Sequence, residues 1–227
     1  MFAKNVEVLN RKSAQPRRQI GRGAIVALAG LSFFMVAAVM IPPRAEASKS
    51  DAQGVVKEVI DQALPILRDK QSPLPIRRRK LRNLLQDHFD FSDMARTALG
   101  YHWRQLTPDQ RAKFTQLFTA FIENAYLSKI QYYSGQDVEI LGQNSQGTGF
   151  ARVRSNIVQQ GKQPISVNYL LRQMDNGWKI YDVTVDNISI IANYRNQFNR
   201  VINDQGYARL VADMRAKQKE LQASLGS

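Results

Sequence analysis

The sequence contains no cysteine and only two histidines, His88 and His102. The absence of cysteine excludes disulfide bonds, Cys-ligated zinc, iron–sulfur clusters and thiol nucleophiles. Two histidines far from any fixed carboxylate spacing argue against a histidine-rich metal site. The chain also lacks a G-x-S-x-G elbow, a Walker loop, a G-x-G-x-x-G turn and an H-E-x-x-H pair. The sequence therefore gives almost no support to an enzyme.

Acidic residues are also scarce. The 227 residues include 19 Asp and Glu against 32 Lys and Arg, so the formal net charge is +13. Such an excess first suggests nucleic acid or an anionic membrane as partner. Hydrophobic residues make up 44% and charged residues 22% of the chain, a composition typical of a folded protein.

The N-terminus has the three parts of a secretory signal peptide. Residues 1–23 carry six basic residues and one acid, residues 24–41 are an uncharged apolar run, and Ala45-Glu46-Ala47 follows a proline pair. We therefore predict a cleavable signal peptide over residues 1–47, exported by the Sec route. An uncleaved membrane anchor and a twin-arginine route through Arg17-Arg18 are the alternatives.

Cleavage after Ala47 would leave one domain over residues 48–227, with 25 basic and 17 acidic residues and a net charge of +8. An exported domain lies outside the cytoplasm, where it meets no nucleic acid, so we expect no nucleic-acid partner. Without cysteine it must be stabilised by its core, and 180 residues are enough to form one.

The first half of this domain has helical periodicity. Apolar residues at 3–4 spacing predict helices over residues 51–70 and 76–88, and a short helix capped by Ser92 and ended by Gly100. Thr107 and Gln110 form a capping box ahead of an aromatic stripe that predicts a helix to about Gln131.

The second half changes to period two. Strands are predicted near residues 136–142, 149–159, 163–173 and 177–185, followed by helices over residues 187–203 and 207–221. The fold class is therefore α+β: N-terminal helices, a curved antiparallel sheet of about four strands, and C-terminal helices over its apolar face. Asp182, between apolar residues of the last strand, is the one candidate general base, for an enzyme of the cone-shaped α+β class.

Four stretches form an ordered set of motifs along the sequence. They are Phe89-Asp90-Phe91-Ser92-Asp93-Met94-Ala95 continuing to Trp103, Leu106-Thr107-Pro108-x-Gln110-Arg111-x-x-Phe114, Trp178-x-x-Tyr181-Asp182-Val183, and Asn193-Tyr194-Arg195-x-Gln197-Phe198. In their order and spacing these motifs resemble the MlaC and toluene-tolerance family of periplasmic phospholipid carriers. The similarity extends over about residues 55–220. A proline-rich hairpin of the family is replaced here by Gln159-Gln160-Gly161-Lys162-Gln163-Pro164.

The resemblance implies an NTF2-like, cone-shaped domain whose apolar pocket takes phospholipid acyl chains, without catalysis, cofactor or metal. The implied partners are an inner-membrane ABC transporter complex with its substrate-binding ring, and an outer-membrane lipoprotein complex, in the periplasm of a Gram-negative bacterium. Apolar and aromatic residues of the predicted helices and strands are the expected lipid contacts: Phe91, Met94, Leu99, Phe118, Phe121, Ile122, Tyr126, Val153, Val167, Tyr169, Leu171, Trp178, Tyr181 and Val183. Each of them could instead be ordinary core.

A basic run on the second helix has two interpretations. Its residues are Arg77, Arg78, Arg79, Lys80 and Arg82. It is either a solvated helix face or an electrostatic patch for an acidic partner or anionic headgroups.

Three other functions remain open at this point. The first is a related carrier for another amphiphile such as a hopanoid, and the second is the cone-shaped α+β enzyme that would use Asp182. The third is a structural or interaction protein without a pocket.

Overall fold

The computed structural model describes residues 51–129 and 132–226, so the predicted signal peptide lies outside the described residues. Helices precede the sheet: α1 (Ala52–Arg68), α2 (Leu74–His88), α3 (Phe91–Leu99), a 3-10 helix (Gly100–Gln105) and α4 (Pro108–Leu127). The strands are β1 (Asp137–Ser145), β2 (Phe150–Val158), β3 (Ile165–Met174), β4 (Gly177–Val185) and β5 (Ile188–Ser189). Two helices follow, α5 (Ile190–Gln205) and α6 (Tyr207–Gly226). The predicted α+β class is confirmed.

The strands form one antiparallel meander in the order β1-β2-β3-β4-β5. The four long strands lie where the alternation predicts them, and β5 is a two-residue addition at the end of β4. The turn between β4 and β5 shifts the start of α5 from the predicted position. Asp186 and Asn187 adopt positive φ in the turn, and Ser189 then caps α5, so α5 begins at Ile190 rather than near Asn187.

Local chemistry sets the ends of α3 and α4. The prediction that Ser92 caps α3 is wrong: Asp90 is the N-cap, because its carboxylate accepts a hydrogen bond from the backbone N–H of Asp93. Gly100 ends α3 as predicted, with a φ of 58° that a side chain would strain. The capping box of Thr107 and Gln110 is confirmed, although α4 ends at Leu127, earlier than predicted.

The buried apolar residues fall into three clusters. The helical core joins α3, α4, α5 and α6 around Phe114, Phe118, Tyr194 and Phe198. The sheet core joins α1 to strands β2, β3 and β4. The junction core joins α1, α2 and the end of α4. Phe89, just before α3, packs against both the helical core and the sheet core.

A charged link joins α3 to the sheet. The Arg172 guanidinium on β3 donates from Nε to Asp90 Oδ2 over 2.9 Å and lies 3.5 Å from Asp93 Oδ1 through Nη1. Asp90 and Asp93 are both buried. The N-terminus of α3 is therefore fixed to β3 by charge as well as by the backbone bridge from Phe89 to Ile180.

Across residues 51–129 and 132–226, none of the helices combines the length and the apolar character needed to cross a membrane. The apolar run over residues 24–41 lies outside that part of the chain.

Candidate functional site

One face of the sheet lies under α1 and is largely apolar. Strand register places directly opposed residues on the same face, so Val153, Tyr169 and Val183 form one row across three strands. A second row is Ala151, Leu171 and Ile180, all buried. We call this the inner face. The same alternation sends Arg152 and Arg154 of β2 to the opposite, outer face, where both are exposed.

Two tyrosines have the properties of side chains that line a recess inside the fold. Tyr126, near the end of α4, packs against the helical core, and Tyr169 packs against the sheet core. Both are only partly buried by accessible surface. Burial nevertheless raises the pKa of each phenol, so both hydroxyls lie in surroundings that exclude bulk water.

We propose that a recess lies between the helical core and the sheet core. The two clusters are separate groups of buried side chains that share Phe89 as a partly buried neighbour. Partly buried apolar residues pack against each cluster, including Ile190 of α5 against the helical core and Leu64 of α1 against the sheet core. We define the recess site by these two residues together with Tyr126, Tyr169 and Val183.

The predicted lipid contacts divide between the two sides of this gap. One group lies in or against the helical core: Phe91, Met94, Leu99, Phe118, Phe121, Ile122 and Tyr126. A second group lies in or against the sheet core: Val153, Tyr169, Leu171, Trp178 and Val183. Val167 is buried on β3 opposite Ser155. The structure thus divides most of the predicted residues between two apolar clusters, and which of them touch lipid stays a prediction.

Tyr181 does not belong with them. β4 contains a bulge here, because Leu170 pairs with Asp182 while Leu171 pairs with Ile180, which leaves Tyr181 as an extra residue. Its ring meets Phe150 edge to face, with centroids 6.1 Å apart. Phe150 pairs with Arg172 on the outer face. The bulge thus places Tyr181 on the outer face, away from the inner-face residues with which it was expected to contact lipid.

Sequence reasoning missed the contribution of α1. Val56 and Ile60 are buried in the sheet core, and Leu64 packs against it. Their helical periodicity was visible in the sequence, but periodicity cannot show which surface a helix covers. Ser155, fully buried on β2 with its hydroxyl donating to the Val167 carbonyl over 3.0 Å, carried no sequence signal at all.

The Asp182 carboxylate accepts hydrogen bonds that hold two elements of the fold together. Oδ2 accepts a hydrogen bond from the Ser189 hydroxyl over 2.5 Å, and Oδ1 accepts from the backbone N–H groups of Val183 and Ile191 over 2.8 and 3.2 Å. Burial raises the pKa of Asp182, and these hydrogen bonds oppose the rise. The carboxylate thus fixes the first turn of α5 onto β4, and no arrangement around it points to a general base.

The basic run on α2 is not one continuous surface. Arg79 and Lys80 are exposed, but Arg77 and Arg78 are buried, with only 7% and 6% of their surface accessible. Arg77 donates through Nη1 to the Leu67 carbonyl at the end of α1, over 3.4 Å. Arg82 pairs with the buried Glu123 at 3.1 Å. Neither a fully solvated face nor a five-residue patch describes the run, because three of its side chains pack between helices.

Among the described residues, no group of three or more Asp, Glu and His side chains is placed to hold a metal ion. The apolar recess itself offers tyrosine hydroxyls rather than charged ligands. Its chemistry suits an apolar molecule better than a metal or a nucleotide.

Comparison with known proteins decides the family. The model of the MlaC protein family matches residues 57–216, which include all five residues of the recess site. This chain is a member of the MlaC family. The intermembrane phospholipid transport system binding protein MlaC of Haemophilus influenzae is 28% identical over 149 residues, covering 64% of this chain and 69% of that protein.

A solved structure shows that the fold is shared as well. It is the phospholipid-binding protein from Ralstonia solanacearum in complex with a phospholipid. It aligns with this MlaC-family chain at a TM-score of 0.68 and 24% identity, over 76% of this chain and 99% of that chain. The resemblance of the sequence motifs to the MlaC family is therefore confirmed at the level of both family and fold.

Proposed function

We propose that this protein is a periplasmic phospholipid carrier that holds acyl chains in the recess between the helical core and the sheet core. The observation that carries the proposal is the pair of separate apolar clusters, each with partly buried apolar residues packed against it. Membership of the MlaC family, and the phospholipid named in both related proteins, support the same ligand.

The physical need for such a carrier follows from hydration. Moving a dozen methylenes from a bilayer into water costs about 10 kcal/mol, at ~0.8 kcal/mol for each methylene. A protein that replaces water around the chains removes most of this barrier. It needs shape-tolerant apolar walls rather than a nucleophile or a metal, and the recess supplies walls of Leu, Ile, Val and Tyr.

We further propose that the carrier moves lipid between an outer-membrane lipoprotein complex and an inner-membrane ABC transporter complex with its substrate-binding ring. Cleavage of residues 1–47 after Sec export would release it into the periplasm. The MlaC name of the family and the signal-like N-terminal sequence support this placement.

The carrier function predicts catalytic exchange of lipid between membranes. Mature protein added to donor and acceptor vesicles should speed the transfer of a fluorescent phospholipid at least about tenfold over the spontaneous rate. The reason is that acyl chains bound by the protein are not exposed to water during transfer. Boiled protein serves as the control. A rate equal to that of vesicles alone would contradict the proposal.

The exposed part of the basic run should act at the membrane surface. Arg79→Glu combined with Lys80→Glu should slow transfer to vesicles with anionic lipid by about tenfold, since each base near such a surface contributes up to about 1 kcal/mol. The slowing should shrink as salt is raised.

A matched control is available on α6, where Arg215 and Lys219 are also exposed. Reversing both charges there changes the net charge equally and should leave the transfer rate near that of the wild type. Equal slowing by the two double variants would show that only total charge matters, and α2 would lose its proposed role.

A further inference from the structure

Tyrosine and lysine side chains meet at the end of the domain where α1 and α4 both finish. Tyr132 has 67% of its surface accessible, the largest fraction among the large hydrophobic side chains of the described residues. Lys129 Nζ lies 5.7 Å from the centroid of its ring. Lys70 Nζ lies 5.3 Å from the ring centroid of Tyr133 and donates to the Tyr133 carbonyl over 3.2 Å. Two cation–π pairs thus lie side by side at this end.

Further basic side chains belong to the same end. Arg68, the last residue of α1, is about half exposed. A hydrogen bond from Arg77 to the Leu67 carbonyl brings α2 close, and Lys80 of α2 is exposed and near enough to Asp69 to act on it electrostatically. We call this surface the tip, and its members are Arg68, Lys70, Lys80, Lys129, Tyr132 and Tyr133.

The tip borders on the recess site. Leu64 of the recess site precedes Arg68 by four residues on α1, and Tyr126 precedes Lys129 by three residues at the end of α4. Four residues of an α-helix span about 6 Å, so both recess residues lie within about one turn of the tip. The junction core holds these two helix ends together.

The chemistry of the tip fits the surface of an anionic phospholipid bilayer. Tyrosine is enriched where headgroups meet acyl chains, because its ring is apolar and its hydroxyl is polar. Lysine ammonium groups attract anionic headgroups. Within the described chain neither Lys70 nor Lys129 forms an ion pair, and both are exposed. Protein interfaces are depleted in lysine and enriched in arginine, and three of the four bases of the tip are lysines.

We propose that the tip docks on an anionic phospholipid bilayer, with Tyr132 at the boundary of headgroups and acyl chains, and that lipid passes between bilayer and recess site there. The inference rests on the proposed function, because it concerns entry into the same recess site. It adds the orientation of the carrier on the membrane and extends the surface beyond α2.

The experiment measures co-sedimentation of the mature protein with vesicles of phosphatidylcholine alone or mixed with phosphatidylglycerol. Wild type should bind the mixed vesicles at least about tenfold more tightly than the neutral ones. Lys70→Glu combined with Lys129→Glu should lose this preference. Tyr132→Ala should weaken binding to the mixed vesicles about fivefold, because part of an aromatic ring is no longer buried in the bilayer.

Two controls match these changes on other surfaces. Arg215→Glu combined with Lys219→Glu changes the net charge equally on α6, where both residues are exposed. Tyr101→Ala removes a tyrosine with 57% of its surface accessible, located before α4 rather than after it. The 20 residues of α4 span about 30 Å, so this tyrosine lies far from the tip. Both controls should bind vesicles like the wild type.

The outcomes separate this inference from the carrier function. Wild type without a preference for anionic vesicles, or tip variants that bind like the wild type, would overturn docking by the tip. Equal weakening by the α6 variant would assign binding to total charge and also overturn it. Tip variants that lose binding only to a purified membrane protein complex would assign the tip to an acidic protein, against the proposal. Native mass spectrometry of the same samples tests the carrier: wild type that binds vesicles and takes up no lipid would overturn the carrier function and the proposed entry of lipid at the tip.

Discussion

Tyr169→Glu should abolish phospholipid binding. Tyr169 lies at the centre of the inner-face row that it forms with Val153 and Val183, and it packs against the sheet core. A carboxylate there would either be ionised beside acyl chains or take up water in the recess, and both oppose an apolar ligand. Lipid that copurifies with the protein, measured by mass spectrometry of extracts, should fall at least about tenfold.

The matched control for this substitution is Tyr181→Glu. Tyr181 belongs to the same sheet but contacts Phe150 on the outer face, so the same change of chemistry should leave the lipid content near that of the wild type. Val183→Trp adds an uncharged test, because it fills the recess with bulk rather than charge. If folded Tyr169→Glu and Val183→Trp proteins both retained wild-type lipid, the recess would not be the binding site.

Asp90→Ala should destabilise the fold by about 3 kcal/mol. The substitution removes the N-cap of α3, which contributes about 1 kcal/mol, and breaks a mostly buried ion pair with Arg172. Asp93 remains near Arg172 and limits the loss. Urea unfolding followed by circular dichroism gives the change in unfolding free energy.

Lys57→Ala is the control for Asp90→Ala. It breaks the Lys57–Asp61 pair on α1, in which both side chains are more than half exposed, and should cost less than about 0.5 kcal/mol. If the two variants were equally stable, the charged link would contribute little. Phe89 and the backbone bridge to Ile180 would then hold α3 to the sheet without it.

The elements could be predicted from the sequence because local chemistry determines them. Thr107 and Gln110 specify the start of α4 within four residues. Along β2, the alternation of apolar and polar residues in the sequence matches an alternation of buried and exposed side chains in the structure. Ser92 shows the limit of this approach. Both Asp90 and Ser92 can cap a helix, and only the fold shows that Asp90 also meets Arg172.

The candidate site could be predicted only as a set of apolar residues. Tyr169 and Tyr181 were expected together among the lipid contacts, but the one-residue bulge in β4 places them on opposite faces, and a bulge depends on pairing with β3. Arg77 and Arg78 illustrate the same limit for charge. A basic run looks like surface in the sequence, and the burial of both side chains, with Arg77 bonded to the end of α1, appears only when the chain folds.

The family resemblance supplied what the residue pattern could not. Helical and strand periodicity lead to an α+β domain with an apolar face, which many proteins share. The ordered motifs from Phe89 to Phe198 led to the MlaC family, and the family match over residues 57–216 confirms that step. We propose that the apolar ligand lies between the helical core and the sheet core, which are separate clusters.

Native mass spectrometry of the mature protein, purified from a Gram-negative periplasm without added lipid, tests the central proposal most directly. The carrier function predicts a complex heavier than the bare chain by the mass of a phospholipid, with fragments that identify acyl chains and headgroup. Its mass should shift when the protein is incubated with vesicles of another phospholipid. A chain that stays bare before and after incubation, or that holds only a hopanoid or another amphiphile, would contradict the proposal.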